Sequence, residues 1–154
     1  MKAVFLDDID KKILEKLEDN SKKKFFQIAK EIGVSSSTVF NRIKRLEEKK
    51  VIYKYKAVVD HKKLGKNVTA IIHIVTEKLP AFEVAQRLSE KARVEEVYAV
   101  SGEFDIIAKL RFKDTEELGK FVYDEKDGLK TWKGVQRTES MIVLKSFKEN
   151  GFAR

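Results

Sequence analysis

FFQIAKEIGVSSSTVFNRIKRLEEKKVI, residues 25–52, reads as two short helices and the turn between them. Ile28, Ala29 and Ile32 recur at helical spacing and stop at Gly33. Glycine suits a helix C-terminus because it enters the left-handed backbone region without a Cβ clash. Val34 follows as a small apolar plug, and Ser35 stands where an N-cap belongs. Its hydroxyl can accept a hydrogen bond from a free N–H of the next helix. There Val39, Ile43 and Leu46 make a narrow apolar stripe for a core. The opposite face carries Ser36, Ser37, Phe40, Asn41, Arg42, Lys44, Arg45, Glu48 and Lys49. An ordinary helical hairpin with a solvated charged face shares this spacing. Two features favour a DNA-reading helix-turn-helix: the cations cluster while the acids come late, and the small polar start of the helix permits close approach to base edges.

Upstream, Asp7 or Asp8 can cap a first helix whose apolar face is Ile9, Ile13, Leu14 and Leu17. Asp7, Asp8 and Asp10 favour the macrodipole at its start. That helix ends near Asp19-Asn20 and completes a three-helix unit. Ser21–Lys24 is a polar turn with three consecutive lysines, either a solvated loop or a phosphate contact.

Charge supports an anionic partner. The 154 residues carry a net charge of +8, of which +5 falls in the first sixty. With no cysteine, disulfides, thiolate metal sites and a Cys nucleophile are excluded. The two histidines, His61 and His73, lie far apart, so no metal site and no cofactor are expected. No apolar run reaches membrane-span length and no signal peptide is visible, so a cytoplasmic location is expected. The 38% charged composition suggests a heat-adapted source, which a melting midpoint in the ordinary mesophile range would contradict.

Beyond Leu46, Val51–Val59 alternates apolar and basic residues. That is strand periodicity, expected as a wing or as a connecting strand that pairs with another subunit. Asp60–Asn67 is polar, and the domain boundary is placed there. The second half then reads as strand 68–77, a helix opened by Pro80 with Ala81, Ala85, Leu88 and Ala92 on one face, and strand 94–101. A tight turn at Gly102-Glu103 leads into strand 104–112. Asp114 and Glu117 form a capping-box pair opening a helix with Leu118, Phe121 and Val122, and a final strand is expected over 135–147. The order βαββαβ is the ferredoxin-like split unit. The fold class is therefore α+β: a winged helix-turn-helix domain (1–52), a strand-like linker (53–67) and a ferredoxin-like αβ-sandwich domain (68–154). Two helices cover only one sheet face. The first and last strands are apolar on both, with Ile71 and Val75 opposite Ala70, Ile72 and Ile74. A second copy packed on the open face is the economical solution. A dimer would also present two reading heads to half-sites roughly 34 Å apart.

Over nearly its whole length the chain resembles the Lrp/AsnC (feast/famine) transcription regulators. The matching residues run from Leu6-Asp7, Asp10 and Ile13-Leu14 through Ile28-Ala29, Gly33-Val34-Ser35, Thr38-Val39, Arg42-Ile43 and Leu46-Glu47. Val51-Ile52, Val59-Asp60 and Leu64-Gly65 follow, then Val100, Gly102, Phe104 and Asp105 as a G-x-aromatic-D turn, and Gly134-Val135, Thr138 and Ser140. The chain departs from the family pattern at Lys24, where Ser or Thr usually caps the second helix, and at Lys50 and Lys54, where Gly is usual.

The resemblance implies a sequence-specific regulator that binds double-stranded DNA through Ser35, Ser36, Ser37, Thr38, Phe40, Asn41, Arg42, Lys44 and Arg45. It also implies a small effector, an amino acid, held between subunits by Gly102, Glu103, Phe104, Asp105, Gln136, Thr138 and Ser140. It further implies a homodimer that assembles to a tetramer or octamer, with no membrane partner. Phe40 is placed to touch a thymine methyl and Asn41 to pair with adenine. Two other readings stay open. The siroheme decarboxylases resemble the same architecture, although no His pair is evident here, and a Soret band with the tetrapyrrole would revive an enzyme. A sensor that binds amino acids without DNA is the other.

Overall fold

The computed structural model describes residues 4–77 and 80–153. The chain divides into two compact units, one ending at Ala57 and the other beginning at Val58.

The first unit is a helical bundle of α1 (Asp8–Asp19), α2 (Phe25–Ile32) and α3 (Ser36–Glu48). Each start has a local cause. Asp7 caps α1, accepting a hydrogen bond from the Asp10 N–H at 2.9 Å, while Asp10 accepts from the Asp7 N–H at 3.2 Å. This reciprocal box satisfies two donors that a helix start otherwise leaves free. Lys24, which has no hydroxyl, gives α2 no side-chain cap, but Gln27 accepts from the Lys24 N–H at 3.1 Å. Half of the box thus survives. Gly33 ends α2 at φ 76°, in the left-handed region. Ile13, Leu17, Ile28, Ala29, Val39 and Ile43 form the core, flanked by Ile9, Ile32, Val34 and Ile52.

The second unit is a four-stranded antiparallel sheet in the order β2-β3-β1-β4. Its strands are β1 (Val68–Thr76), β2 (Val94–Ala99), β3 (Ile106–Phe112) and β4 (Val135–Ile142). Helices α4 (Ala81–Ser89) and α5 (Thr115–Tyr123) supply the core with Ala70, Ile72, Ile74, Ile106, Ala108 and Leu110. Asp114 caps α5 as read from the sequence, accepting from the Glu117 N–H at 2.8 Å. Pro80 precedes α4 as its N-cap, and α4 buries Val84 with Leu88; Ala92 lies beyond the helix end.

Three expectations need correction. Val51–Val59 forms no strand, and Tyr53, Tyr55, Val58 and Val59 are exposed. Alternation supplies a pattern, but a strand also needs a ladder with a neighbouring strand, and no ladder among the described strands includes residues 51–59. The last strand ends at Ile142 rather than Phe147. Its partner β1 begins at Val68, so after the Val143 N–H donates to the Thr69 carbonyl (2.9 Å) no partner remains. Leu144 is then 96% exposed, and the chain folds into a small hairpin of β5 (Lys148–Glu149) and β6 (Phe152–Ala153). Asn150 and Gly151, at φ 51° and 83°, are a two-residue turn of the kind that matches strand twist. Finally, the β2–β3 connection is longer than a tight turn: the Val100 N–H reaches the Asp105 carbonyl at 2.9 Å around the intervening loop. No helix among the described residues is long and apolar enough to cross a membrane.

Candidate nucleic-acid and effector sites

The outer face of α3 holds the first candidate site. Ser35 caps the helix, its Oγ accepting from the Thr38 N–H at 3.1 Å and lying 2.8 Å from both Ser37 Oγ and Thr38 Oγ1. These hydroxyls hold the helix start together. Ser36, Ser37, Phe40, Asn41 and Lys44 are exposed. Lys44 makes a long contact of 4.0 Å to Glu48.

Arg42 and Arg45 are placed differently from the sequence expectation. Arg42 Nη1 donates to Asp7 Oδ2 and, at 3.1 Å, to Asp10 Oδ1, and Arg45 Nη2 donates to Asp10 Oδ2. Asp10 is fully buried. The hydrogen bond from Arg42, with the Asp10 N–H adding to it, holds the Asp7 carboxyl down at about 2. The two guanidinium groups therefore tie α3 to the start of α1, and their charge is balanced inside the unit. A buried carboxylate requires such partners. The sequence carried the signal in the matching i, i+3 spacings Asp7/Asp10 and Arg42/Arg45. In the lysine turn, Lys23 pairs with Glu31 at 2.5 Å, which leaves Lys22 and Lys24 exposed.

The effector candidates group around the β2–β3 connection and β4. Gly102, at φ 134°, and Glu103 are exposed, and Glu103 accepts from Arg137 Nη2 at 3.1 Å. Phe104 packs on the His73 ring, centroids 4.5 Å apart, with the Arg137 guanidinium 5.3 Å from its own centroid. Asp105 Oδ2 accepts from the Thr76 N–H at 2.7 Å and from Thr76 Oγ1 at 3.0 Å, so that oxygen anchors the turn. The register pairs Ile74 with Thr138 and Ile72 with Ser140, which puts Thr138 and Ser140 on the helix side of the sheet. Gln136 is exposed at an irregularity of the ladder, where Thr76 pairs with Val135 and Val75 with Arg137, so alternation does not place it on that side. Arg137 pairs with Val75 and lies on the open side with His73. The seven candidates thus straddle the edge strand rather than lining one cavity. Thr138 Oγ1 is buried without a hydrogen-bond partner. Arg137 did not figure in the sequence reading, and His73 figured there only as a discounted metal ligand, because no register was at hand to place either beside the turn.

Two cavities lie elsewhere in this unit. One, of about 480 Å³, is lined by Leu64, Lys66, Arg93, Lys113 and Glu117 among others. The second, of about 690 Å³, sits on the open sheet face beside an ionic cluster. In that cluster Arg111 and Lys109 meet Glu149, Arg111 Nε lies 3.0 Å from Glu95, and His61 Nε2 lies 3.1 Å from the same carboxylate. Among the described residues no group of His, Asp and Glu is arranged to hold a metal ion.

Residues 6–53 match the winged helix-turn-helix DNA-binding family, and residues 69–151 match the Lrp/AsnC ligand binding domain. The transcriptional regulator FL11 of Pyrococcus furiosus is 42% identical over 144 residues, which is 94% of this chain and 93% of that protein. A transcriptional regulator from Neisseria meningitidis, solved as an L-methionine complex, superposes with a TM-score of 0.85 at 28% identity, covering 94% of each chain. A feast or famine regulatory protein from M. tuberculosis, also complexed with L-methionine, has a TM-score of 0.85 at 27% identity, covering 94% of this chain and 96% of that one.

Proposed function

Since the chain belongs to the Lrp/AsnC family of DNA-binding transcriptional regulators, we propose that α3 enters the major groove of its operator and that an amino acid bound in the second unit changes the outcome. The observation that carries the first part is the capped N-terminal half of α3, with Ser36, Ser37, Phe40 and Asn41 exposed on one small, polar-rimmed face. Small side chains let the backbone approach base edges, and an amide reads adenine bidentately. Exposed Lys22, Lys24, Lys44, Lys49 and Lys50 supply phosphate contacts. Arg42 and Arg45 act chiefly by fixing the pose of α3, with phosphate contact secondary. In this reading residues 1–52 bind DNA, 53–67 connect, and 68–154 sense and assemble.

For the effector, the exposed Gly102 turn, the Glu103 carboxylate and the unpartnered Thr138 hydroxyl are the groups available to an amino acid, and a neighbouring copy closes the site. The L-methionine complexes of the two relatives support this class of ligand. The open sheet face supports a homodimer, and further assembly to a tetramer or octamer follows the family. The exposed residues 53–57 suit strand pairing between the copies.

The test is binding of the full chain to a duplex containing its own promoter, titrated over salt, with the twenty amino acids added in turn. Tight binding relative to scrambled duplex is expected, falling by about a thousandfold or more between 50 and 200 mM salt if six or more phosphates are contacted. At least one amino acid should shift the affinity. Absence of both preference and salt dependence overturns the assignment of the DNA-reading face; absence of any amino-acid effect overturns the effector.

A further inference from the structure

Two aromatic rings stand outside the core of the first unit, beside its reading face. Phe25, the first residue of α2, is 39% exposed, and Phe40, on the second turn of α3, is 52% exposed. Their ring centroids are 6.0 Å apart at an interplanar angle of 54°, the tilted geometry of a favourable aromatic pair. The pair joins the start of α2 to the outward face of α3. Phe40 is flanked one turn back by Ser36 and Ser37 and one turn on by Lys44, all exposed. Lys24 immediately precedes Phe25 and is exposed as well. An apolar spot this small, framed by lysines and short hydroxyl side chains, complements a polyanion that itself presents apolar groups. Duplex DNA has one such group in the major groove, the C5-methyl of thymine.

We propose that Phe25 and Phe40 together form an apolar reader of thymine methyl groups and make this regulator select thymine over cytosine at a defined position of each half-site. The inference rests on α3 entering the major groove; to the thymine-methyl contact expected of Phe40 it adds the second residue that reads the methyl and the base selection that follows. Phe40 supplies the contact, and Phe25 backs its ring, holding it in the pose that meets the methyl and enlarging the apolar surface the methyl is buried against. A purely structural role for the pair, as a staple between α2 and α3, would change stability without creating any dependence on the methyl group.

The test needs no knowledge of the operator in advance. Duplexes that bind the full chain are selected from a random pool. Each thymine of the winning sequence is then replaced singly by deoxyuridine, which removes the methyl and leaves base pairing intact. Removing one buried methyl is expected to weaken binding about fourfold at the read position and negligibly elsewhere. Phe40→Ala is expected to bind the thymine and deoxyuridine duplexes equally. Phe25→Ala should shrink the difference, and Phe26→Ala should preserve it. Because the first comparison uses the unaltered protein, a folding defect in a variant leaves it intact. If no deoxyuridine replacement weakens binding of the unaltered chain, the proposal is overturned while the DNA reading stands. A methyl effect that survives both Phe25→Ala and Phe40→Ala overturns the assignment to these rings. Failure to select any duplex overturns the proposal together with the groove placement on which it rests.

Discussion

Lys50 holds a backbone conformation that its side chain disfavours. Its φ is 56°, in the left-handed region, just past the end of α3. The chain turns there so that the Val51 and Ile52 N–H groups both reach the Leu46 carbonyl, at 2.8 and 3.2 Å. A Cβ in this region costs on the order of 1 kcal/mol. Lys50→Gly is therefore expected to stabilise the first unit by about that amount, read as a raised denaturation midpoint at unchanged slope. An unchanged or lowered midpoint would mean that the lysine makes a compensating interaction. Gly128 presents the opposite case. A Cβ built there would fall on the Asp124 carbonyl oxygen and nitrogen, whose residue caps the end of α5. Gly128→Ala should destabilise by roughly 1–3 kcal/mol, because backbone must move to admit the methyl. The displaced segment also carries buried Leu129 and Trp132, so loss of the Trp132 fluorescence signature before global unfolding would report the local damage.

At the scale of elements, capped helix starts and the glycine stop of α2 were legible in the sequence, whereas the end of α4 and the strand ends were not. Asp7, Gly33, Ser35 and Asp114 each act through a hydrogen bond or dihedral within a few residues, so their types and spacing suffice. Where β4 stops depends on where β1 starts, some seventy residues away in sequence, and no local pattern encodes that. The Asn150-Gly151 turn went unread in the sequence, past an apolar alternation that reads as continuous strand. The tie between α1 and α3 was half legible, since the residues were visible as types and only their meeting was hidden. It predicts that Asp10→Ala destabilises the first unit by about 2 kcal/mol or more, because two partly exposed guanidinium groups lose their buried counter-charge. Arg42→Ala should lower the unfolding midpoint and DNA affinity together. An unchanged salt slope in that variant identifies a positioning role, and a slope reduced by about one identifies a phosphate contact. The ionic cluster of the second unit makes a pH prediction. Burial pushes the His61 pKa down, Glu95 opposes this, and Arg111 and Lys66 add to it. The unfolded chain, with its ordinary value near 6.5, thus takes up a proton before the folded one does. His61's contribution to stability is fully present above that pH and is lost as pH falls through the lower folded value. His61→Gln is expected to flatten the stability profile below pH 6.5; an unchanged profile would assign the acid sensitivity to other groups.

At the scale of the whole molecule, the decisive feature is the sheet face that neither α4 nor α5 covers. On it the register places Ile71 beside Met141 and His73 beside Ile107, with Val75 following on β1. Met141 is 42% exposed and Ile71 is half-buried. A contiguous apolar stripe on an antiparallel sheet is stable in water only when something packs on it, and a second copy brings a surface of matching shape and chemistry under two-fold symmetry. Charge at the stripe's edge should then act on assembly without unfolding the sheet. Met141→Glu lies on the edge strand, opposite β1, and points away from the core residues Ile72 and Ile74. Two like carboxylates buried across a two-fold interface cost several kcal/mol, enough to dissociate a dimer at micromolar concentration. Sedimentation of the unaltered chain is expected to give a dimer or larger species, and Met141→Glu a monomer with an unchanged far-ultraviolet circular dichroism spectrum. The same variant separates reading from assembly. Its α3 face is intact, so contact with a single half-site should persist, whereas the tethering of two reading heads is lost. Affinity for a two-half-site duplex should fall by about 10²–10⁴, the range over which linkage of two weak sites operates, while affinity for a single half-site stays the same. A dimer that survives the substitution would place the interface elsewhere. A monomer that loses single half-site binding as well would show that the reading face itself depends on the partner copy.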